Sequence, residues 1–143
     1  MRQRVTHIFF IMLGILNIFQ TKEKRFVTEG AFRSNLKNQS EMNRQLLLQL
    51  RKQNVTEEKQ CRIEYFFYAD KEANGKELCR ALISIGYTSS CKVSSGDKRL
   101  FVINGWTNKI TMSDSNLSGW SERMCTIGYK YDCDFDGWGT DDF

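Results

Sequence analysis

An α+β fold is predicted for this chain by three observations. Arg62 to Ala69, RIEYFFYA, alternates Ile63, Tyr65 and Phe67 against Glu64, Phe66 and Tyr68, the period of two that marks a strand covered on both faces. Leu78, Ala81, Leu82 and Ile85 recur at helical spacing directly behind it. A hairpin signal, a second helical pattern and a terminal alternating stretch then follow in that order.

Before the first strand, residues 1–27 read as a leader. Two arginines precede an apolar run from Ile8 to Phe19, as in a signal peptide, yet QTKEKRF after it offers no small-residue cleavage site. The run is too short to cross a bilayer comfortably. Met12 offers an alternative start, so residues 1–11 read as an upstream extension and the leader as disordered or weakly membrane-touching. Membrane contact by residues 8–19 is the less favoured reading, and the chain is expected to be cytoplasmic. Residues 28–60 form a helical segment and linker. Two helices are expected there, one capped by Thr28 and carrying Ala31, Phe32 and Leu36, the other started by Ser40 and Glu41 and carrying Leu46, Leu47 and Leu50.

Residues 61–143 are expected to be the folded domain. Asp70 is placed to cap the helix Lys71 to Ile85, and Gly86 to stop it. Tyr87 to Ser94 and Arg99 to Trp106 are strands joined by the turn Ser95-Gly96-Asp97-Lys98. A helix starting near Ser113 or Ser115 should bury Leu117, Trp120, Met124 and Ile127, with Gly128 ending it. The order strand, helix, strand, strand, helix, strand with right-handed crossovers gives a ferredoxin-like βαββαβ sandwich: a four-stranded antiparallel sheet with two helices on one face. Phe67, Phe101 and Phe135 are the expected costly core positions.

The closing stretch, YKYDCDFDGWGTDDF, carries the candidate site. Tyr129, Tyr131, Cys133 and Phe135 alternate with Lys130, Asp132, Asp134 and Asp136, predicting a strand with an acidic outer row, after which Gly137-Trp138-Gly139 should turn and hold an indole at the rim. Asp132, Asp134, Asp136 and Gly137 also open like a calcium loop. The twelfth position of that loop, where a bidentate Glu is needed, is Phe143, so no metal is expected. Asp132, Asp134, Asp136 and Trp138 are instead candidates for contact with a protein partner, the carboxylates meeting Lys/Arg and the indole anchoring.

Composition narrows the function. Residues 1–60 carry 11 Lys/Arg against 5 Asp/Glu, and residues 61–143 carry 10 against 12, so the domain lacks the basic stripe of a nucleic-acid binder. Cys61, Cys79, Cys91, Cys125 and Cys133 are odd in number and contain no C-x-x-C, which fits reduced thiols acting as small core hydrophobes. His7, the single histidine, precedes the domain, so neither a catalytic His pair nor a His-ligated metal is available to it. No cofactor is implied, and no enzyme is expected.

IEYFFYAD with its helix, WSERMC, and DCDFDGWGT resemble the regulator of ribonuclease activity B (RraB) family, also called ribonuclease E inhibitors, over about residues 40–140. The resemblance implies a non-catalytic ferredoxin-like domain that binds an endoribonuclease of the ribonuclease E type and lowers its activity. After DGWGT only Asp141, Asp142 and Phe143 remain, where the best-characterised pattern has a long acidic tail. Two other readings fit the residues: an immunity protein against a toxin nuclease, and a single-stranded RNA module stacking bases on Phe66 and Tyr68 with Phe101 or Ile103. RLFVING does not match the strand motif that the RNA reading requires.

Overall fold

The computed structural model describes residues 24–142; the apolar run, His7 and Phe143 lie outside the described residues. Among the described residues three helices, α1 (Glu29–Lys52), α2 (Glu72–Ser84) and α3 (Asp114–Lys130), accompany six strands. These are β1 (Gln60–Cys61), β2 (Glu64–Ala69), β3 (Ser90–Val93), β4 (Phe101–Trp106), β5 (Ile110–Thr111) and β6 (Asp134–Gly139). The main sheet has four antiparallel strands in the order β3-β4-β2-β6, and β1 pairs with β5 in a separate two-stranded ribbon. That ribbon was not expected from the linker TEEKQ. No helix among the described residues is long and apolar enough to cross a membrane.

Register sorts the sheet residues by face. Tyr65, Phe67 and Ala69 of β2 are fully buried, and Phe67 stands opposite both Ile103 and Phe135. Leu78 and Leu82 of α2 and Leu117, Trp120 and Met124 of α3 pack on them in one core. Aromatic contacts tie the layers together: the Phe67 and Phe135 rings are 5.0 Å apart, and Trp120 meets Phe135 edge-on at 5.9 Å. Phe101, opposite Ala69, is only half-buried. Ile85, expected on the helix stripe, lies exposed beyond the end of α2, and Cys79 is buried in its place.

α1 corrects the expectation of two helices. Thr28 caps it, accepting from Ala31 N at 3.1 Å, but Ser40 starts nothing. No glycine or proline interrupts Lys37 to Glu41, and the helix has one consistent partner surface along its length, so it continues through. Leu47 and Leu50, with Val55 after the helix, enter the common core. Asp70 does not cap α2; its N-cap is Lys71, with no side-chain bond. Ser113 caps α3 as expected, accepting from Asn116 N at 3.3 Å.

Gly128 does not end α3. It is buried inside the helix, where a Cβ would come within 2.7 Å of the Cys133 carbonyl and 2.8 Å of the Phe67 ring, so it is a point of close approach. The helix runs through Tyr129 and Lys130, and Asp132, at φ 58, turns the chain out of it. Tyr129 and Tyr131 therefore do not belong to the terminal strand, and the alternation that joined them to Cys133 and Phe135 was a coincidence of spacing.

Candidate partner-binding site on the terminal strand

β6 is an edge strand, and its geometry decides where the four candidate residues go. It runs through Asp134-Phe135-Asp136-Gly137-Trp138-Gly139, so the Gly-Trp-Gly expected to be a turn is strand. Phe67 pairs with Phe135 and Phe66 with Gly137, which leaves Asp136 as the extra residue of a β-bulge. Gly137 adopts φ 143, a conformation that glycine tolerates and residues with a Cβ rarely adopt. One inserted residue reverses the inside-outside order. Strict alternation from Phe135 would send Trp138 outward; the bulge brings it back to the covered face opposite Tyr65.

Trp138 is consequently 6% exposed and lies in the core, not at the rim. Its ring meets Trp120 edge-on at 6.4 Å, and its indole N–H donates to Asn43 Oδ1 at 2.7 Å. α1 supplies that acceptor and also covers the open edge of β6. Asn35 Nδ2 and Gln39 Nε2 both donate to the Phe135 carbonyl, at 2.7 and 3.2 Å. An edge strand left bare would expose unpaired backbone groups; here Asn35 and Gln39 satisfy the Phe135 carbonyl, and Asn43, one turn further on, takes the indole of Trp138. Their spacing of four residues is the sequence signal that could have revealed this face, since amides in helical register are suited to meet backbone.

The carboxylates separate into three environments. Asp132 is turned back onto its own chain, accepting from Phe26 N at 3.0 Å, from Val27 N at 2.8 Å and from Arg25 Nε at 3.5 Å. Arg25 also donates to the Tyr129 carbonyl and lies 4.0 Å over the Tyr129 ring, while Phe32 stacks on that ring at 4.6 Å. The last residues of the expected leader are thereby clasped to the end of α3. Asp134 is half-buried and accepts from Asn35 Nδ2 at 3.3 Å; burial, and secondarily the charge of Asp136, raises its pKa above the ordinary value. Asp136 alone of the three is exposed. The predicted outward row of three carboxylates is therefore not present as a row. Among the described residues no three His, Cys, Asp or Glu side chains converge as metal ligands would.

All five cysteines are free thiols, and four are buried. Burial pushes Cys125 and Cys133 up to about 12, far from the range of a nucleophilic thiolate. On the other sheet face, register separates the residues of the expected base-stacking platform. Phe66 and Tyr68 are opposite Asn104 and Val102, whereas Phe101 and Ile103 belong to the helix-covered side. Glu64 and Asp134 share the open face with Phe66 and Tyr68 by register, and their charge opposes phosphate.

Comparison with known proteins adds one positive finding. A family model described as regulator of ribonuclease activity B matches residues 40–140, from the second half of α1 through β6, while no curated protein matches the chain. With the match spanning the whole sheet and both helices packed on it, the chain belongs to the RraB family of regulators of ribonuclease activity.

Proposed function

We propose that this protein is a non-catalytic, cytoplasmic regulator that binds an endoribonuclease of the ribonuclease E type by protein-protein contact and lowers its activity. Membership of a family of ribonuclease regulators, over residues 40–140, carries the reading. The strand order β3-β4-β2-β6, with α2 and α3 sharing one core with the sheet, supports treating that region as a ferredoxin-like unit. The contribution of Leu47, Leu50 and Val55 to the core supports counting residues 28–60 in the same folding unit.

Of the four candidate residues, Asp136 is the one we assign to the partner directly. Its carboxylate is exposed on the bulge and is suited to pair with Lys/Arg of the nuclease, where a rim charge mainly speeds and orients docking. Asp132, Asp134 and Trp138 serve the same surface from behind. They fix the path of β6 through their contacts with residues 26–27, Asn35 and Asn43.

The test is a cleavage assay with purified nuclease and a labelled RNA. Added wild-type chain should slow cleavage in proportion to complex formed, with Asp136→Lys needing several-fold more protein for the same effect. Unchanged cleavage at saturating chain, together with no complex in sedimentation, would overturn the proposal.

A further inference from the structure

The two edges of the main sheet are finished differently. α1 covers β6, whereas among the described residues no strand pairs with the outer side of β3. Thr88 N donates to the Trp106 carbonyl at 3.0 Å and Ser94 N to the Leu100 carbonyl at 2.9 Å. Backbone direction alternates between them, so the N–H and C=O groups of Ser89, Cys91 and Val93 are directed away from the sheet. Edges of this kind are normally blunted by charge, proline or a bulge. β3 has no proline and an unbroken register, and its single charge, Lys92, lies on the open face opposite Val102. α2 stands over the same edge. Gly75 permits the approach, since a Cβ there would come within 2.7 Å of Cys91 Sγ, and Ser89 Oγ donates to Cys79 Sγ at 3.2 Å. α2 therefore runs antiparallel to β3, with Glu72 toward the Val93 end and Ile83 toward the Ser89 end. Glu72, Lys76, Arg80 and Ile83 recur at spacings of four and three on its exposed flank.

The arrangement of this edge selects its occupant. Ile83 and Val93 are 53% and 56% exposed and lie at opposite ends of the edge, as do Arg80 and Glu72. A two-fold axis through Cys91 therefore matches unlike ends. With β3 antiparallel to its own copy, Cys91 exchanges backbone bonds with the partner's Cys91, and Val93 falls opposite the partner's Ser89, beside the partner's Ile83. Lys92 falls opposite the partner's Ser90, and Glu72 opposite the partner's Arg80. Lys76 is the one charge that meets its own copy, and each carries its own Glu72 carboxylate at 2.7 Å. We propose that the β3 edge is a homodimer interface, in which two chains pair antiparallel through β3 into one continuous sheet and α2 packs against the partner subunit's α2. A second copy supplies the complementary charge and the apolar contact by symmetry. The proposal stands apart from the regulator reading and does not depend on it.

Sedimentation equilibrium of the full chain alone, over about a hundredfold range of concentration, should show a reversible monomer–dimer equilibrium. Amide hydrogen exchange at Ser89, Cys91 and Val93 should slow as the dimer forms, a response that a dimer through any other surface would not give. Val93→Pro removes an outward N–H that β4 does not use, a position where an edge strand tolerates proline, and should weaken the dimer at least about tenfold. Ile83→Glu, at an exposed position, should weaken it as well, so the test survives if the proline variant fails to fold. Arg80→Glu should weaken it through the partner's Glu72, and adding Glu72→Arg to the same chain should restore it. Thermal melts establish which variants are folded. A chain that stays monomeric at every concentration would overturn the proposal, including one whose Ser89, Cys91 and Val93 amides are already protected by some other segment. A dimer indifferent to both Val93→Pro and Ile83→Glu would overturn it too.

Discussion

The indole N–H of Trp138 donates to Asn43 Oδ1 at 2.7 Å across the contact between β6 and α1. That bond joins the two halves of the fold: the edge strand that closes the sheet and the helix that covers its edge. Truncating Trp138 to Ala removes a buried aromatic and its contact with Trp120, and should cost about 3–5 kcal/mol in urea unfolding. Trp138→Phe keeps most of the volume but leaves the Asn43 oxygen unpaired, for a loss of about 1–3 kcal/mol.

Gly137→Ala tests the bulge. At φ 143 an alanine is strained, and its Cβ would press to 3.3 Å from Met42 Cε. A destabilisation of about 1–3 kcal/mol is expected. A mutant as stable as the parent in the same unfolding experiment would mean that β6 does not require this conformation.

Asp132 and Asp136 should separate stability from docking. Asp132→Ala abolishes the acceptor for Phe26 N and Val27 N and is expected to cost about 1.5–3 kcal/mol, with trypsin cutting after Lys24 or Arg25 faster than in the parent. Asp136→Ala, at an exposed position, should stay within about 0.5 kcal/mol of the parent and retain its protease resistance. Association with a basic partner should nevertheless slow and lose salt dependence, as read by stopped-flow at two ionic strengths.

The raised pKa of Asp134 predicts a pH dependence. Because burial makes the native state bind this proton more tightly than the unfolded chain does, the group opposes folding when ionised. Its penalty is full above the native pKa, shrinks as pH falls through that value, and is gone below the ordinary carboxylate pKa near about 3.9. Asp134→Asn, which keeps an acceptor for Asn35, should therefore be more stable than the parent at neutral pH and no more stable near about pH 3.5. A constant difference across that range would show that the two states titrate alike.

Thiol labelling of the native chain with a disulfide reagent should modify half-buried Cys91 first. Cys125 and Cys133, pushed up to about 12 by burial, should react only on the timescale of unfolding. Fast labelling of either would place it at the surface.

Much of this molecule is legible in its residues because the relevant forces are local. Alternation in RIEYFFYA, the apolar spacing in α2 and α3, and the Thr28 and Ser113 caps each depend on chain geometry within a few residues, and the strand and helix order follows from them. The fate of DCDFDGWG does not. A β-bulge is a mismatch between two strands, so only the partner β2 determines that Asp136 is the extra residue and that Trp138 returns to the core. Nor does the continuity of α1 follow from its own caps, because Asn35, Gln39 and Asn43 gain their partners only once β6 lies beside them. The sequence by itself determined the succession of the four main strands with their two packed helices, and the family; tertiary structure decided the continuity of α1, the β1–β5 ribbon, the path of β6 and which acidic side chain meets solvent, since exposure belongs to a packed surface and not to a position in the chain.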